Sequence, residues 1–566
     1  MILKHILCFL TLLFAIVACK NHPDKSAPVS GQAEDTTGLF RQRVAELFTD
    51  SEKISLYFSS HPDFFPDSGK VGDFYRRRFY RYAWINQDGI IENTSHLINL
   101  LSNTRVNFTA DSILISRLKA LHDSLTQMTA GLLTNSELVH ETELTFTATF
   151  YFVARKEFTE INDSLFRSLE WFIPRRKVNY EGLLDSVLIS PVGSVMKMTE
   201  PVYFMYQKLK EQLDKYARLV CFEEWPVIPE PEKELKAGES DSSLLLIKNR
   251  LHVLGDLDAL DSSLVFSETL QEGIRKFQSR FGIEQNGRLV KQVYDELNVS
   301  LNSRIHQILI NMERCRWLPE RPYGPHILIN IPEFKLHVYE KEQVLWECNV
   351  IVGKTTTNTV IFTDSLEYIV FCPYWNVPKT IVRDEIVPEM VKNPSYLKKH
   401  KMEIITYGSP YLSVSPSSVN WNNYLQATFP YMIRQQPGAT NALGRIKFLF
   451  PNNYNIYLHD TPEKSLFARQ ARSFSHGCIR IEEPLKLAEY LLETDSAWSK
   501  DKIWKAMTAG KEKHVKLKRK IPVYILYFTA WVDEQGLLNF RKDLYGHDNK
   551  MEQVLFESSE MESMQE

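Results

Sequence analysis

From Leu39 to about Cys221, apolar positions recur at helical spacing, as in Leu114, Leu118, Leu121 and Leu125 and later in Leu165, Leu169 and Phe172. This pattern predicts a mostly helical domain over 39–224. Pro226, Pro229 and Pro231, followed by mixed charge up to Ser240, predict a linker over 225–240. Between 241 and 298 three apolar stripes follow in turn: Leu244, Ile247, Leu251 and Leu254; Leu270, Ile274, Phe277 and Phe281; Leu289, Val293 and Leu297. Gly255 and Gly282 stop the first two, so three short helices are expected. The segment 299–323 reads as a linking helix from Arg304 to Arg316. After Gly324 the period changes to two, with Ile327, Ile329 and Ile331, then Leu336 and Val338, then Trp346, Cys348, Val350 and Val352. A β-rich domain is predicted over 324–545. Ile381, Ile386, Val387, Met390 and Val391 interrupt it at helical spacing, followed by Trp421, Tyr424, Phe429 and Tyr431. Pro522 to Val532 is an apolar strand expected to close this domain, and 546–566 reads as a tail. The class is multidomain α+β.

The N-terminus has a different pattern. Lys4 and His5 precede an apolar run from Ile6 to Ala18, too short for a membrane span and suited to the core of a signal peptide. Residues 1–18 read as that signal. The run closes Ile16-Val17-Ala18-Cys19, which resembles the bacterial lipobox and implies lipidation of Cys19. An ordinary signal peptide with a chance cysteine is the alternative. The polar stretch 19–38 reads as a flexible tether. The expectation is an exported, membrane-anchored lipoprotein.

Charge narrows the field. The 67 Lys+Arg and 70 Asp+Glu give a net charge of −3, which excludes a strongly basic nucleic-acid binder. Arg76-Arg77-Arg78 and the basic run Lys511 to Lys520 read as solvated faces. Seven cysteines are present, with no close pair. After removal of Cys8 and lipidation of Cys19, an odd number remains, so at least one thiol stays free. Whether Cys348 and Cys372 pair is open at this stage.

Two segments carry candidate chemistry: Tyr457-Leu458-His459-Asp460-Thr461 and Ser475-His476-Gly477-Cys478-Ile479-Arg480. A cysteine attacks a carbonyl when an imidazole takes its proton, and pairing favours thiolate and imidazolium. Gly477 permits a tight turn whose N–H groups can converge on an oxyanion. Arg480 is placed to bind a carboxylate or brace the loop. His459 and His476 compete for the base. His459, ending a strand, is better placed than a residue two positions from the thiol. Asp460 is expected to face solvent. A metal reading of His459, His476 and Cys478 lacks a fourth ligand at usual zinc spacing, so no metal or other cofactor is expected.

These segments resemble the L,D-transpeptidase family with its YkuD-type catalytic domain. Pro373-Tyr374-Trp375-Asn376-Val377-Pro378 and the stretch Gly438 to Gly444 are similar to its large Gram-negative subgroup. The resemblance implies Cys478 as nucleophile and His459 as base and later acid. Ser475, His476, Gly477 and Arg480 become the oxyanion and supporting loop, Tyr457 and Trp375 cavity walls, and 379–443 a capping insertion. Leu251-His252-Val253-Leu254-Gly255, Ile274-Arg275-Lys276-Phe277-Gln278, Phe281-Gly282-Ile283 and Asn286-Gly287 resemble the peptidoglycan-binding-1 domain, with any three-helix bundle as the alternative. The implied reaction joins two peptidoglycan stem peptides by a 3-3 cross-link through a cysteine thioester, and the same thiol would accept a carbapenem. The rival readings are an L,D-carboxypeptidase or D-amino-acid exchange enzyme, and a catalytically silent peptidoglycan-binding lipoprotein.

Overall fold

The computed structural model describes residues 47–86, 89–102, 110–126, 136–157, 163–174, 180–189, 203–222, 224–318, 324–341, 343–408 and 410–557. The predicted signal 1–18, Cys19 and the tether 19–38 lie outside the described residues. The chain forms two compact units, Met1–Phe158 with Asn179–Lys197, and Thr159–Val178 with Met198–Glu566.

The described part of the first unit is helical, as the spacing predicts. Its central helix, Ser136–Glu157, buries Leu144, Phe146, Ala148 and Phe150 and also Thr142, Thr145 and Thr147. Buried threonines are tolerable in a helix when their hydroxyls find partners, as Thr145 and Thr147 do with Tyr57 and Tyr75. Glu143 is buried beside them and accepts from the Tyr75 hydroxyl and the Trp84 N–H, and burial pushes its carboxyl up to about 7. The run Arg76-Arg77-Arg78 ends the helix Ser68–Arg77, and Arg76 and Arg77 pair with Asp73 and Glu181 on an exposed face.

The helical domain predicted up to 224 is divided between the units. The helices Asp163–Ser168 and Met205–Phe222 belong to the second unit. Met205, Leu209 and Tyr216 share its core with the helix Leu301–Trp317, so burial overrides position in the chain. That helix was expected to be a linker. It buries Ile308, Ile310, Met312, Cys315 and Trp317 and is a core element. The three expected helices are Ser243–Leu254, Glu268–Arg280 and Lys291–Leu297, with Gly255 left-handed at φ 86° after the first. The proline-rich segment before them is docked. Arg250 stacks 4.0 Å from the Trp225 ring and donates to the Pro226 carbonyl, while the Ile228 N–H donates to Asn298 at 2.8 Å.

Among the described residues the β-rich region has fifteen strands: β1 His326–Asn330, β2 Lys335–Glu340, β3 Gln343–Gly353, β4 Phe362–Phe371, β5 Trp375–Asn376, β6 Met402–Ile405, β7 Ser413–Val414, β8 Met432–Gln435, β9 Ile446–Leu449, β10 Leu458–His459, β11 Ser473–Ser475, β12 Ile479–Ile481, β13 Lys513–Leu526, β14 Ala530–Val532 and β15 Leu538–Phe540. The main sheet runs β11-β3-β12-β10-β9-β4-β13-β1-β2, and a further β2–β3 pairing closes it on itself. All of β1 is buried, so its period of two reflects two covered faces rather than one wet one. The basic half of β13 pairs with β4 through Lys513–Lys516 and exposes its lysines.

The predicted insertion is a cap. Strands β5, β8, β6 and β7 form its own sheet in the order β5-β8-β6-β7. Val377, Ile386, Val387, Met390, Trp421, Phe429 and Ile433 form its own apolar core. It therefore begins at Trp375, earlier than the expected 379, because β5 pairs with β8 inside it. The expected tail beyond 545 is folded at its start. The helix His547–Glu552 buries His547, Asp548 and Met551, and Asp548 pairs with Arg314 and Thr529.

One buried ion cluster on the sheet sets a pH dependence. His337 lies between Glu333 at 3.0 Å and Glu347 at 3.2 Å. Burial opposes its charge, but the two carboxylates raise it to about 9. A raised histidine stabilises the fold fully below its unfolded value of about 6.5 and loses that contribution as pH rises through about 9. The shift corresponds to about 3 kcal/mol. The unfolding midpoint is expected to fall from pH 6.5 to 9.5, and His337→Gln to flatten that slope; thermal melts over this range check it.

Candidate active site

β9, β10 and β12 are adjacent, with Lys447 opposite His459 and His459 opposite Arg480. Phe448, Leu458 and Ile479 belong to the buried core. Strand alternation therefore sends Lys447, His459 and Arg480 to the other face. Two residues before His459 and Arg480, at the entry to β10 and β12, Tyr457 and Cys478 fall on that same face, held by the Ile479 N–H donating to the Tyr457 carbonyl at 3.2 Å. The sheet thus gathers Tyr457, His459, Cys478 and Arg480 from two separated segments. The rings of Tyr457 and His459 lie 5.7 Å apart.

His459 is buried, and its Nδ1–H donates to the Asp460 carbonyl at 2.5 Å, which leaves Nε2 as the proton acceptor. Burial lowers it to about 3, aided by the nearby positive Arg480. Burial also raises the Cys478 thiol, against hydrogen bonding from Tyr457 and the positive charges of Arg480 and Lys447. Both shifts run toward the neutral forms, against the thiolate and imidazolium expected from sequence. Burial, which disfavours either charged form, is the first cause of both shifts. The thiol donates to the Asn455 carbonyl at 3.5 Å. Cys478 is partly exposed, and Cys221, Cys315, Cys348 and Cys372 are also free thiols. Cys348 and Cys372 do not pair, and the Cys372 thiol donates to the carbonyls of Ala506 and Met507.

The loop before Cys478 is braced at every turn. The Ser475 hydroxyl donates to the Cys478 carbonyl at 2.6 Å and accepts from the Gly477 N–H at 3.1 Å. Gly477 has φ 111°, a conformation that side chains disfavour. Its N–H is committed to Ser475 and is not available to an oxyanion, contrary to the expected role. Among the described residues the N–H groups of His476 and Cys478 have no acceptor, and they are the candidate oxyanion donors. The His476 side chain is exposed and turns to Glu385 in the cap at 3.1 Å, away from the base role. Arg480 pairs with Glu463, which makes it a brace. Asp460 is buried, not solvent-facing: its carboxylate accepts from the N–H groups of Arg445 and Thr461 and pairs with Lys464. Tyr457 is beside the thiol, with burial and Cys478 holding its hydroxyl protonated. Trp375 is on β5 in the cap, packed on the cap core, with no hydrogen bond or ring contact to Cys478.

Sequence reasoning missed the second layer. The Thr357 hydroxyl donates to the Ser475 carbonyl and the Thr359 hydroxyl to the Gly477 carbonyl at 2.8 Å. Tyr545 donates to the Gly353 carbonyl at 2.8 Å and accepts from the Thr359 N–H. A Cβ on Gly353 would lie 2.1 Å from the Thr357 carbonyl oxygen. Gly353→Ala must therefore push out the loop that holds Ser475 and Gly477. The expected result is a loss of about 2–4 kcal/mol with slowed alkylation of Cys478, read by melts and iodoacetamide kinetics. Only the glycine itself hinted at this close approach.

Comparison with known proteins gives the class. Residues 324–520 match the model of the YkuD L,D-transpeptidase catalytic domain, and residues 69–213 that of the Scaffold domain. The chain carries an L,D-transpeptidase catalytic domain preceded by a Scaffold domain. A curated protein of Haemophilus influenzae, named "Putative L,D-transpeptidase", is 33% identical over 253 residues, covering 44% of this chain and 50% of that protein. The chain thus spans about half the length of the curated relative it matches. The solved L,D-transpeptidase of Xylanimonas cellulosilytica (residues 123–326) aligns at 13% identity over 53% of this chain and 100% of its own, with TM-score 0.17. That of Stackebrandtia nassauensis gives 13%, 53%, 97% and 0.21. Scores this low add no weight to the structural likeness.

Proposed function

We propose that the protein joins peptidoglycan stem peptides by a 3-3 cross-link through a thioester on Cys478. The observation that carries this reading is the single sheet face that brings Cys478, His459 and Tyr457 together behind a braced loop. Nε2 of His459 takes the thiol proton as sulfur attacks the carbonyl of the third stem residue. The N–H groups of His476 and Cys478 meet the oxyanion. Collapse breaks the peptide bond, and His459 gives the proton to the departing D-alanine amine. The side-chain amine of a second stem then attacks the thioester, its proton passes to His459, and the thiol is restored. A carbapenem would acylate Cys478 by the same attack, with opening of its strained ring.

The cap supports transfer over hydrolysis, since a cover over the thioester excludes water. The three helices of 241–298 are proposed to hold the glycan wall. A lipid on Cys19 would anchor the chain to a membrane in the periplasm. The carboxypeptidase or exchange reading differs only in the acceptor, and a silent wall-binding lipoprotein would lack turnover altogether. Incubation with disaccharide-tetrapeptides separates them. Dimeric muropeptide is expected; tripeptide alone would favour the carboxypeptidase, and unchanged substrate the silent module.

A further inference from the structure

Lys447 is a cation in an apolar strand. Its neighbours Ile446 and Phe448 are fully buried in the core, so the pleat sends Lys447 to the face that carries His459. Along that row the sheet places Val370, Lys447, His459, Arg480 and Ile351 on successive strands. The outer members, Val370 and Ile351, are wholly buried apolar residues. Directly opposed residues hold their Cβ atoms about 4.5–5.5 Å apart, so the amine stands one strand from the base. Its Nζ lies 5.9 Å from the centre of the Tyr457 ring, and its charge and that of Cys478 act on one another.

The two cations of this row differ in one respect. Arg480 has a carboxylate partner in Glu463. The Lys447 amine has no ion pair or hydrogen bond among the described residues, only the Tyr457 ring. Glu512 is the carboxylate whose charge reaches it, yet Glu512 already accepts from the Tyr374 N–H at 2.9 Å and faces His514 at 3.5 Å. Burial lowers the basicity of Lys447, and among the described residues the fold returns the Tyr457 ring and the charges of Glu512 and Cys478, with no carboxylate in direct contact. An apolar residue would fill this row more cheaply, which leaves the amine available to a ligand at the thiol.

We propose that Lys447 binds the free carboxylate that ends the donor stem, one residue beyond the carbonyl attacked by Cys478. The inference rests on the transpeptidase reading and names the substrate group its site selects. A stem that ends one residue past the attacked carbonyl brings its carboxylate beside the thiol. A longer or amidated stem does not. Lys447 is thereby a specificity-determining residue, whereas His459 and Cys478 carry the chemistry.

The test compares turnover of a tetrapeptide stem with its C-terminal amide by the full chain. Wild type is expected to prefer the acid about 10- to 100-fold in kcat/KM, chiefly through KM. In Lys447→Met the two substrates should converge, and Lys447→Arg should keep most of the preference. A wild type that treats acid and amide alike overturns the proposal without any variant. So does a Lys447→Met protein that keeps the wild-type ratio. Wild type that turns over neither substrate, while Cys478 still alkylates, overturns the transpeptidase reading and this inference with it.

Discussion

Cys478→Ala is expected to abolish turnover of a tetrapeptide stem, a loss on the order of 10³-fold or more. The fold should be little affected. The thiol donates a long hydrogen bond to the Asn455 carbonyl at 3.5 Å, accepts from Tyr457, and is partly exposed. The loop is held by Ser475, Thr357 and Thr359, none of which uses the sulfur. The melting temperature should therefore stay within a few degrees, consistent with a change of about 1 kcal/mol or less. The two other thiols of the β-rich region are ill suited to substitute. Cys348 is buried and pushed up to about 12, and Cys372 is buried against the Ala506 and Met507 carbonyls. Substantial turnover by a folded Cys478→Ala protein would assign the chemistry elsewhere.

His459→Gln is expected to lower kcat/KM by about 10²- to 10⁴-fold, the usual worth of a positioned base. Its pH behaviour follows from the neutral pair. A histidine lowered to about 3 is already deprotonated at every working pH, so no acid limb near 6.5 should appear in the wild type. The thiol is raised, so iodoacetamide alkylation should climb with pH past the range of an ordinary thiol. A thiolate–imidazolium pair would behave otherwise. It would alkylate at a constant rate from acid pH and lose activity as the imidazolium deprotonates. Alkylation rates from pH 5 to 10, in wild type and His459→Gln, separate the two states.

The legible part of the site was the part whose residue types carry chemistry in neighbouring letters. Cys478, His459 and the loop between Ser475 and Arg480 could be picked out because few other roles require that grouping. The supports were not legible, since Thr357, Thr359 and Tyr545 are ordinary letters that act only through contacts distant in sequence. Asp460 misled because a carboxylate beside a histidine looks solvated until Gly444, Arg445 and Lys464 close around it. Lys447 left a readable trace, a single charge within Ile446-Lys447-Phe448-Leu449. Protonation was misjudged for a related reason: pairing can be guessed from letters, but the desolvation that defeats it depends on the finished sheet. In the fold, period and breakers found the helices, the strands and the cap. They failed where burial reassigns a segment, as with the helices Leu301–Trp317 and Met205–Phe222.

The central claim is that Cys478 forms a thioester with the stem. Intact-protein mass spectrometry of the full chain after brief exposure to a tetrapeptide stem tests it most directly, with Cys478→Ala alongside. The account predicts a mass gain equal to the mass of the stem less that of free D-alanine, carried by Cys478 and absent from the variant. Turnover of the stem without any adduct on Cys478, or with the same adduct in Cys478→Ala, would contradict it.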